Sequence, residues 1–283
     1  MYSSHSLHRV IAFVFICLST TLSAQEQTGT VVLQGATIID GLADAPMQGR
    51  SIIIEGNTIR DIVAADAPIP AGAEVIDLKG KFVMPGMVDT HVHWLDFMGE
   101  LFVNHGVTSV VALADVPKQT REHSQTSFGL PRLFHTGNRP PFGRNDSPAD
   151  IRKIMKEWLE KEPDIAHFPT HNAGISQAYK VAAEEAHKMG FMIFGHAENA
   201  PDSIVDGLDV VEHIWAWGQA VMPESELAAF QRGEYLTWAN HMSGRWDQLD
   251  ALIKDAVAKD IYINPTLTYE WGGMSVNAKL REL

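Results

Sequence analysis

The chain has 283 residues, enough for one large domain or two smaller ones, with an ordinary globular composition of 45% hydrophobic and 20% charged residues. Its formal charge of -13 excludes the basic footprint that phosphate backbones require, so no nucleic-acid partner is expected. Its one cysteine, Cys17, excludes an internal disulfide and a cysteine-based metal site. At the start, His8 and Arg9 precede an apolar run from Val10 to Leu18, and Leu22-Ser23-Ala24 forms a small-residue cleavage site. That run has nine residues against the roughly 20 of a membrane-spanning helix. Residues 1–24 are therefore expected to be a cleavable signal peptide, with Gln25 as the mature start. No stable membrane anchor is expected after cleavage, and the location is secreted or periplasmic.

Residues 25–80 read as short strands and turns. Val31 to Leu33 and Ala36 to Ile39 lead to an Asp40-Gly41 turn. Ser51 to Glu55 and Thr58 to Val63 flank Gly56-Asn57 and predict a hairpin with a two-residue turn. Pro68, Pro70 and Gly72 mark a loop before Ala73 to Asp77. No helix of useful length fits, so a small β-sandwich lobe, or a sheet, is expected before the main domain.

The main domain is expected over residues 81–283. It opens on Lys81 to Trp94, where the apolar run Phe82-Val83-Met84 meets a Pro85-Gly86 break and then leads to Asp89, Thr90 and His91-Val92-His93. Side chains alternate along a strand, so His91 and His93 face the same way and can supply half a metal site. Strands are then predicted at Gly106 to Ala114, Leu130 to Thr136, Asp164 to Thr170, Phe191 to Ala197, Gly207 to Trp215 and Ile261 to Leu267. Helices are predicted at Phe97 to Asn104, Ser147 to Glu160, Ser176 to Met189, Glu224 to Arg232 and Arg245 to Lys259. The second has Ser147 as cap, Pro148 at its first position and an apolar face of Ile151, Ile154, Met155, Trp158 and Leu159. Gly190 stops the third. This α/β alternation predicts a TIM-like (β/α) barrel with seven of eight strands visible. A doubly wound open sheet is the alternative, weakened by the lack of a glycine-rich dinucleotide fingerprint.

Histidines sort by position. His105, His123, His187 and His241 fall on helices or loops and are expected to be solvated. His91, His93, His135, His167, His171, His196 and His213 lie at strand ends, where barrels build their active sites. The stretch Pro85-Gly86 through Asp89-Thr90-His91-Val92-His93 resembles the first barrel strand of the amidohydrolase superfamily, close to its imidazolonepropionase-like branch. Phe194-Gly195-His196-Ala197-Glu198-Asn199 is similar to its fifth-strand segment, Val211-Glu212-His213-Ile214 to its sixth, and Pro265-Thr266-Leu267 adds to the likeness on the seventh.

The resemblance implies a β-sandwich lobe built from both chain ends and metal ligands at His91, His93, His196 and His213. Zinc is the default ion, although another divalent transition metal, as one or two ions, also suits histidine. Many members carry a carboxylated lysine on the fourth strand. Here His167 stands at that position, a candidate extra ligand that cannot bridge two metals as a carbamate does. The eighth-strand aspartate, which serves the family as ligand and general base, has no counterpart before Leu283, so the chain is expected to be an incomplete copy with no catalytic base assigned. Trp94, Trp215, Trp217, Tyr269 and Trp271 lie near strand ends and are candidates to line a substrate pocket. The expected function is metal-assisted hydrolysis of amide or cyclic amide bonds in small molecules or small peptides. The alternative is a metal-binding remnant of the family that has lost its base. The oligomeric state is left open.

Overall fold

The computed structural model describes residues 29–161, 163–231 and 244–266. The expected signal peptide, His241, Leu267, Tyr269 and Trp271 lie outside these residues. The chain divides into two compact units, Met1–Pro85 and Gly86–Leu283.

Among the described residues, the first unit is a single five-stranded sheet. β1 (Thr30–Ile38), β2 (Met47–Glu55) and β3 (Thr58–Ala64) run antiparallel in turn, while β4 (Glu74–Asp77) and β5 (Phe82–Val83) lie parallel to β1. The predicted hairpin forms: Glu55 pairs with Thr58, and Gly56 takes the left-handed conformation (φ 59°) that a tight two-residue turn needs. Val32, Ala36, Ile38, Ile52 and Ile53 are buried. The expected sandwich is not present among the described residues, because all five strands are used on one sheet. Ile59 and Phe82 remain 59% and 69% exposed. A second correction concerns the boundary. Phe82 and Val83, read as the opening of the barrel, pair instead with Thr37 and Ile38, and Thr37 N–H donates to the Lys81 carbonyl (2.9 Å).

Among the described residues, the second unit carries seven parallel strands in two sheets. β6 (Met87–Val92), β7 (Val107–Ala112) and β8 (Arg132–His135) pair in sequence order. β9 (Ala166–His167), β10 (Ile193–Gly195), β11 (Val210–Glu212) and β12 (Tyr262–Asn264) do the same. Sequential order without reversal is the barrel pattern, and a doubly wound sheet would reverse at a switch point. The described strands do not close into one barrel. Where the two sheets meet, isolated bonds replace ladders. The Asp164 amide donates to the His135 carbonyl (3.0 Å), and Asn264 Nδ2 donates to the Thr90 carbonyl (3.4 Å). β9 has only two residues, and both pair with β10. Gly86 is needed where β6 begins, since a Cβ there would lie 2.0 Å from Thr108 Oγ1.

Helices follow the strands: α1 (Gly99–Asn104, after a 3-10 turn at Asp96–Met98), α2 (Lys118–Thr126), α3 (Pro148–Leu159), α4 (Ser176–Lys188), α5 (Ala200–Val205), α6 (Trp215–Val221), α7 (Glu224–Gln231) and α8 (Trp246–Ala258). α3 forms as its sequence predicts: the Ser147 hydroxyl accepts from the Asp150 amide, and Ile151, Met155, Trp158 and Leu159 are buried. α4 buries Tyr179, Val181 and four alanines, then stops at Gly190 (φ 83°). The main core lies between these helices and β9–β11. Phe168 sits edge-on to Phe142 and Tyr179, with centroids 5.3 Å apart in both pairs. Three helices were not predicted. α2 (KQTREHSQT) buries only Ser124 and so shows no apolar period, while α5 and α6 are two turns or shorter.

Candidate metal centre

The site is built where strands end. His91 lies on β6, and His196 and His213 follow β10 and β11 by one residue. Their ring centroids are 4.9 to 5.9 Å apart, and one ligand atom from each falls within 4.8 Å of the others. His196 Nε2 and His213 Nε2 are 3.0 Å apart. A second set with the same spacing joins His167, His196 and Glu212. His93 is exposed, with its ring 5.7 Å from that of His91, and belongs to neither set.

Glu212 is the residue that sequence reasoning missed. It ends β11, is fully buried, and sits beneath the imidazoles. His167 Nε2 lies 2.9 Å from Oε2, His91 Nδ1 lies 3.1 Å from Oε1, and His196 Nδ1 is 3.5 Å from Oε2. Burial pushes the Glu212 carboxyl upward, but the bond from His167 and the close approach of His91 outweigh it and hold the group well below the usual carboxylate range. Successive strand residues face opposite ways, so Glu212 and His213 would not normally share a site. They do here because His213 adopts a left-handed backbone (φ 65°), a conformation that costs a non-glycine residue roughly 1–3 kcal/mol. Two contacts hold it there: its amide donates to the Asn264 carbonyl (2.8 Å), and its Nδ1 lies 2.6 Å from Thr266 Oγ1.

Those contacts also fix tautomers. The Thr266 hydroxyl donates to the Pro265 carbonyl (2.9 Å), so it accepts from His213 Nδ1–H and leaves the Nε2 lone pair facing the cluster. Arg139 Nε donates to His167 Nδ1 (3.3 Å), which puts the His167 proton on Nε2, where it is given to Glu212. Both His167 nitrogens are therefore engaged. Although its distances admit it to a metal set, its bonding makes it the holder of Glu212, because neither ring nitrogen is left to bind an ion.

Burial lowers His196 to about 4, with Glu212 opposing and His213, His167 and Arg139 adding to the shift. Burial lowers His213 to about 4 as well, with His91 and His93 adding and Glu212 opposing. At neutral pH both are neutral imidazoles, the form that binds metals. His91 Nδ1 and Glu212 Oε1 are buried and close, yet they are not aligned as a hydrogen bond. Converging neutral imidazoles around a buried carboxylate with an unmet oxygen fit a divalent transition cation.

The other candidates are placed differently. Trp94 stacks on Phe102 (6.3 Å, 12°), donates to Asp96 Oδ1 (3.1 Å) and lines a surface pocket of about 850 Å³ with Phe97 and Phe128, a pocket that includes none of the clustered histidines. Trp215 adjoins the cluster, 4.6 Å from the His213 ring, while Trp217 is in the core. His135 accepts from the Val116 amide at Nδ1 (3.3 Å), apart from the cluster. His171 is buried, and its Nε2 pairs with Asp206 (2.7 Å). Its amide donates to the His196 carbonyl (2.9 Å), so it props the ligand loop from behind. His105, His123 and His187 are exposed, as expected. Arg139 also escaped the sequence reading; its one signal was its place just past a strand end, in the loop Gly137-Asn138-Arg139-Pro140.

No family model matches the chain. It is 26% identical to a dihydroorotase of Geobacter sulfurreducens over 191 residues, 60% of this chain and 43% of that relative. It is 26% identical to an adenine deaminase of Halalkalibacterium halodurans over 256 residues, 82% of this chain and 42% of the relative. The chain thus spans about two fifths of the length of the curated relatives it matches. Among solved structures, a Xaa-Pro dipeptidase with bound methionine in its active site superposes with a TM-score of 0.55 at 17% identity, covering 83% of this chain and 78% of that one, which is a likeness of fold. With the strand-end histidines in place, the dihydroorotase and adenine deaminase relatives support a likeness of this chain to the amidohydrolase superfamily.

Proposed function

We propose that the protein is a metal-dependent hydrolase of carbon–nitrogen bonds, acting on amides or cyclic amides of small molecules, small peptides among them. The observation that carries this is the convergence of His91, His196 and His213 over buried Glu212 at strand ends. These three imidazoles would hold a divalent ion, zinc by default. When bound, such an ion lowers the pKa of water toward neutrality and polarises a carbonyl. The chain's own residues prepare that chemistry. Thr266 sets the lone pair of His213, and His167 holds Glu212 with its second oxygen close to His91. Trp215 offers an apolar wall beside His213. A small-peptide substrate is supported by the name of the structurally similar Xaa-Pro dipeptidase. We propose export as well, on the apolar run Val10 to Leu18 and the cleavage site at Ala24. N-terminal sequencing of the exported product should find Gln25.

The test is metal analysis with hydrolysis of a panel of dipeptides, cyclic imides and lactones. Retention of zinc, its loss in His91→Ala and turnover of at least one amide are expected. Zinc content unchanged from wild type in both His91→Ala and His213→Ala would sink the site. A second reading, a metal-holding protein without turnover, is favoured by one observation: among the described residues the only carboxylate in the metal sets is the enclosed Glu212, which is poorly placed to carry a proton to a leaving group. Zinc retention with no turnover across the panel would select it.

A further inference from the structure

Among the described residues, Arg139 stands beside the cluster without a counter-ion. Its Nε and Nη2 reach His167 Nδ1 and His196 Nδ1, both at 3.3 Å, and both partners are imidazoles. Among the described residues no carboxylate comes within 4.0 Å of it. A guanidinium carries five N–H donors, so most of the fork is left for something else. The residue is exposed, which places that unused fork within reach of solutes. In a chain of net charge -13, an arginine with no carboxylate partner among the described residues is a local exception to the field beside the candidate metal centre.

The arm that presents it is well anchored. Gly137 turns the chain with φ 63°, Trp158 Nε1 donates to the Asn138 carbonyl, Pro140 is buried, and Phe142 packs in the main core. Little side-chain and loop entropy would be lost when an anion docks. Only the width of the His196 ring separates the guanidinium from the Nε2 atoms of His196 and His213. One small substrate could thus hold its anion on Arg139 and place its amide over the cluster.

We propose that Arg139 receives a substrate carboxylate, so that the protein selects amides bearing a free carboxylate close to the scissile C–N bond. This rests on the hydrolase reading for the meaning of the scissile bond, but the arginine's affinity for the acid can be read without turnover. The fork geometry of arginine matches a planar carboxylate, which a lysine ammonium does not reproduce.

The experiment measures calorimetric binding of N-acetyl-L-proline, N-acetyl-L-prolinamide and inorganic phosphate to the zinc-loaded full chain, in wild type, Arg139→Gln and Arg139→Lys. The acid is expected to bind about 10-fold to 100-fold tighter than the amide, the scale of a charge-assisted hydrogen bond. Arg139→Gln should abolish that preference and Arg139→Lys should recover only part of it, each compared on folded samples brought to the same zinc content, because Arg139 also donates to His167. Equal affinity for acid and amide in wild type, a preference that survives in Arg139→Gln, binding of phosphate in place of the acid, or no binding of any probe would each overturn the proposal. Hydrolysis of Ala-Pro and Ala-Pro amide is scored separately. An acid preference in binding with neither dipeptide cleaved leaves the arginine's role standing and counts against the hydrolase reading. Cleavage without an acid preference does the reverse.

Discussion

Two buried carboxylates invite comparison, because each is held by a buried histidine and the outcomes differ. Asp206, at the end of α5, gives one oxygen to His171 (2.7 Å) and the other to Lys180 (3.0 Å), so both are satisfied. Burial works against its charge, but Ser176, His171 and Lys180 outweigh that and keep it below the usual carboxylate range. Glu212 gives one oxygen to His167 and is left with the other close to His91 but unaligned. Buried polar atoms are rarely left unmet, and leaving one costs about 1–3 kcal/mol. A carboxylate that is fully paired is a strut; one held open toward three imidazoles is aimed at a cation. The two lie back to back, since His171 ties its own backbone to that of His196.

The sharpest way to break this contrast is to remove the Glu212 charge and keep its shape. Glu212→Gln should lower zinc affinity about 10-fold to 100-fold, the usual effect of losing a residue that orients metal ligands. It should also cost about 1.5–3 kcal/mol in urea unfolding of the metal-free chain through the weakened bond to His167. Competition against a chromophoric chelator measures the first, and wild-type affinity in that assay would end the claim that Glu212 serves a metal.

Acid titration separates the regions by a different property. His196 and His213 have folded values near 4 against an ordinary 6.5, so the unfolded chain binds more protons between those limits. The stability contributed by their neutral forms is complete above about pH 6.5 and is lost as pH falls toward about 4. Zinc should leave over the same interval, since protons and metal compete for the same nitrogens. Asp206 is lowered from 3.8, so its contribution persists until the pH falls below that value. Melting temperature followed from pH 8 to pH 3 should decline first through the histidine window. A flat profile between pH 6.5 and 4 would contradict the burial of these imidazoles.

Asp206→Asn is the complementary change. It should cost about 1.5–3 kcal/mol of stability, because two charge-assisted bonds weaken. Zinc affinity should hold to within about twofold, because Asp206 touches no atom of the cluster. If this variant loses zinc as readily as Glu212→Gln, the distinction between strut and ligand holder fails.

What the sequence disclosed follows from periodicity. His91 and His93 announce themselves by a two-residue spacing at a strand end, and His196 and His213 by short apolar strands just before them. α3 was legible to its capping serine, since Ser147, Pro148 and Asp150 encode the start and the apolar stripe encodes the buried face. Glu212 was hidden by that same periodicity. Alternation sends it away from His213, and only the left-handed turn at His213 brings both to one place. Nothing local marks that turn, because histidine rather than glycine occupies it. Arg139 lies in a loop, where no period exists to be read. Phe82-Val83 was assigned to the barrel because an apolar run does not say which sheet it will join, and pairing with β1 is a long-range decision.

The turn at His213 also supports the finest test. Thr266 is itself left-handed (φ 47°), an awkward conformation for a β-branched residue, and its hydroxyl is the acceptor that fixes the His213 proton on Nδ1. Thr266→Val keeps the branch and removes the acceptor. Zinc affinity should fall about fivefold, the equivalent of one neutral hydrogen bond, and ¹⁵N-resolved spectra of the metal-free chain should show His213 losing its single tautomer. Thr266→Ser keeps the acceptor and removes the branch, so the tautomer should remain and stability should hold or rise. If valine and serine behave alike, the hydroxyl does not set the tautomer. The backbone bond from His213 to Asn264 would then carry more of its geometry than the hydroxyl does.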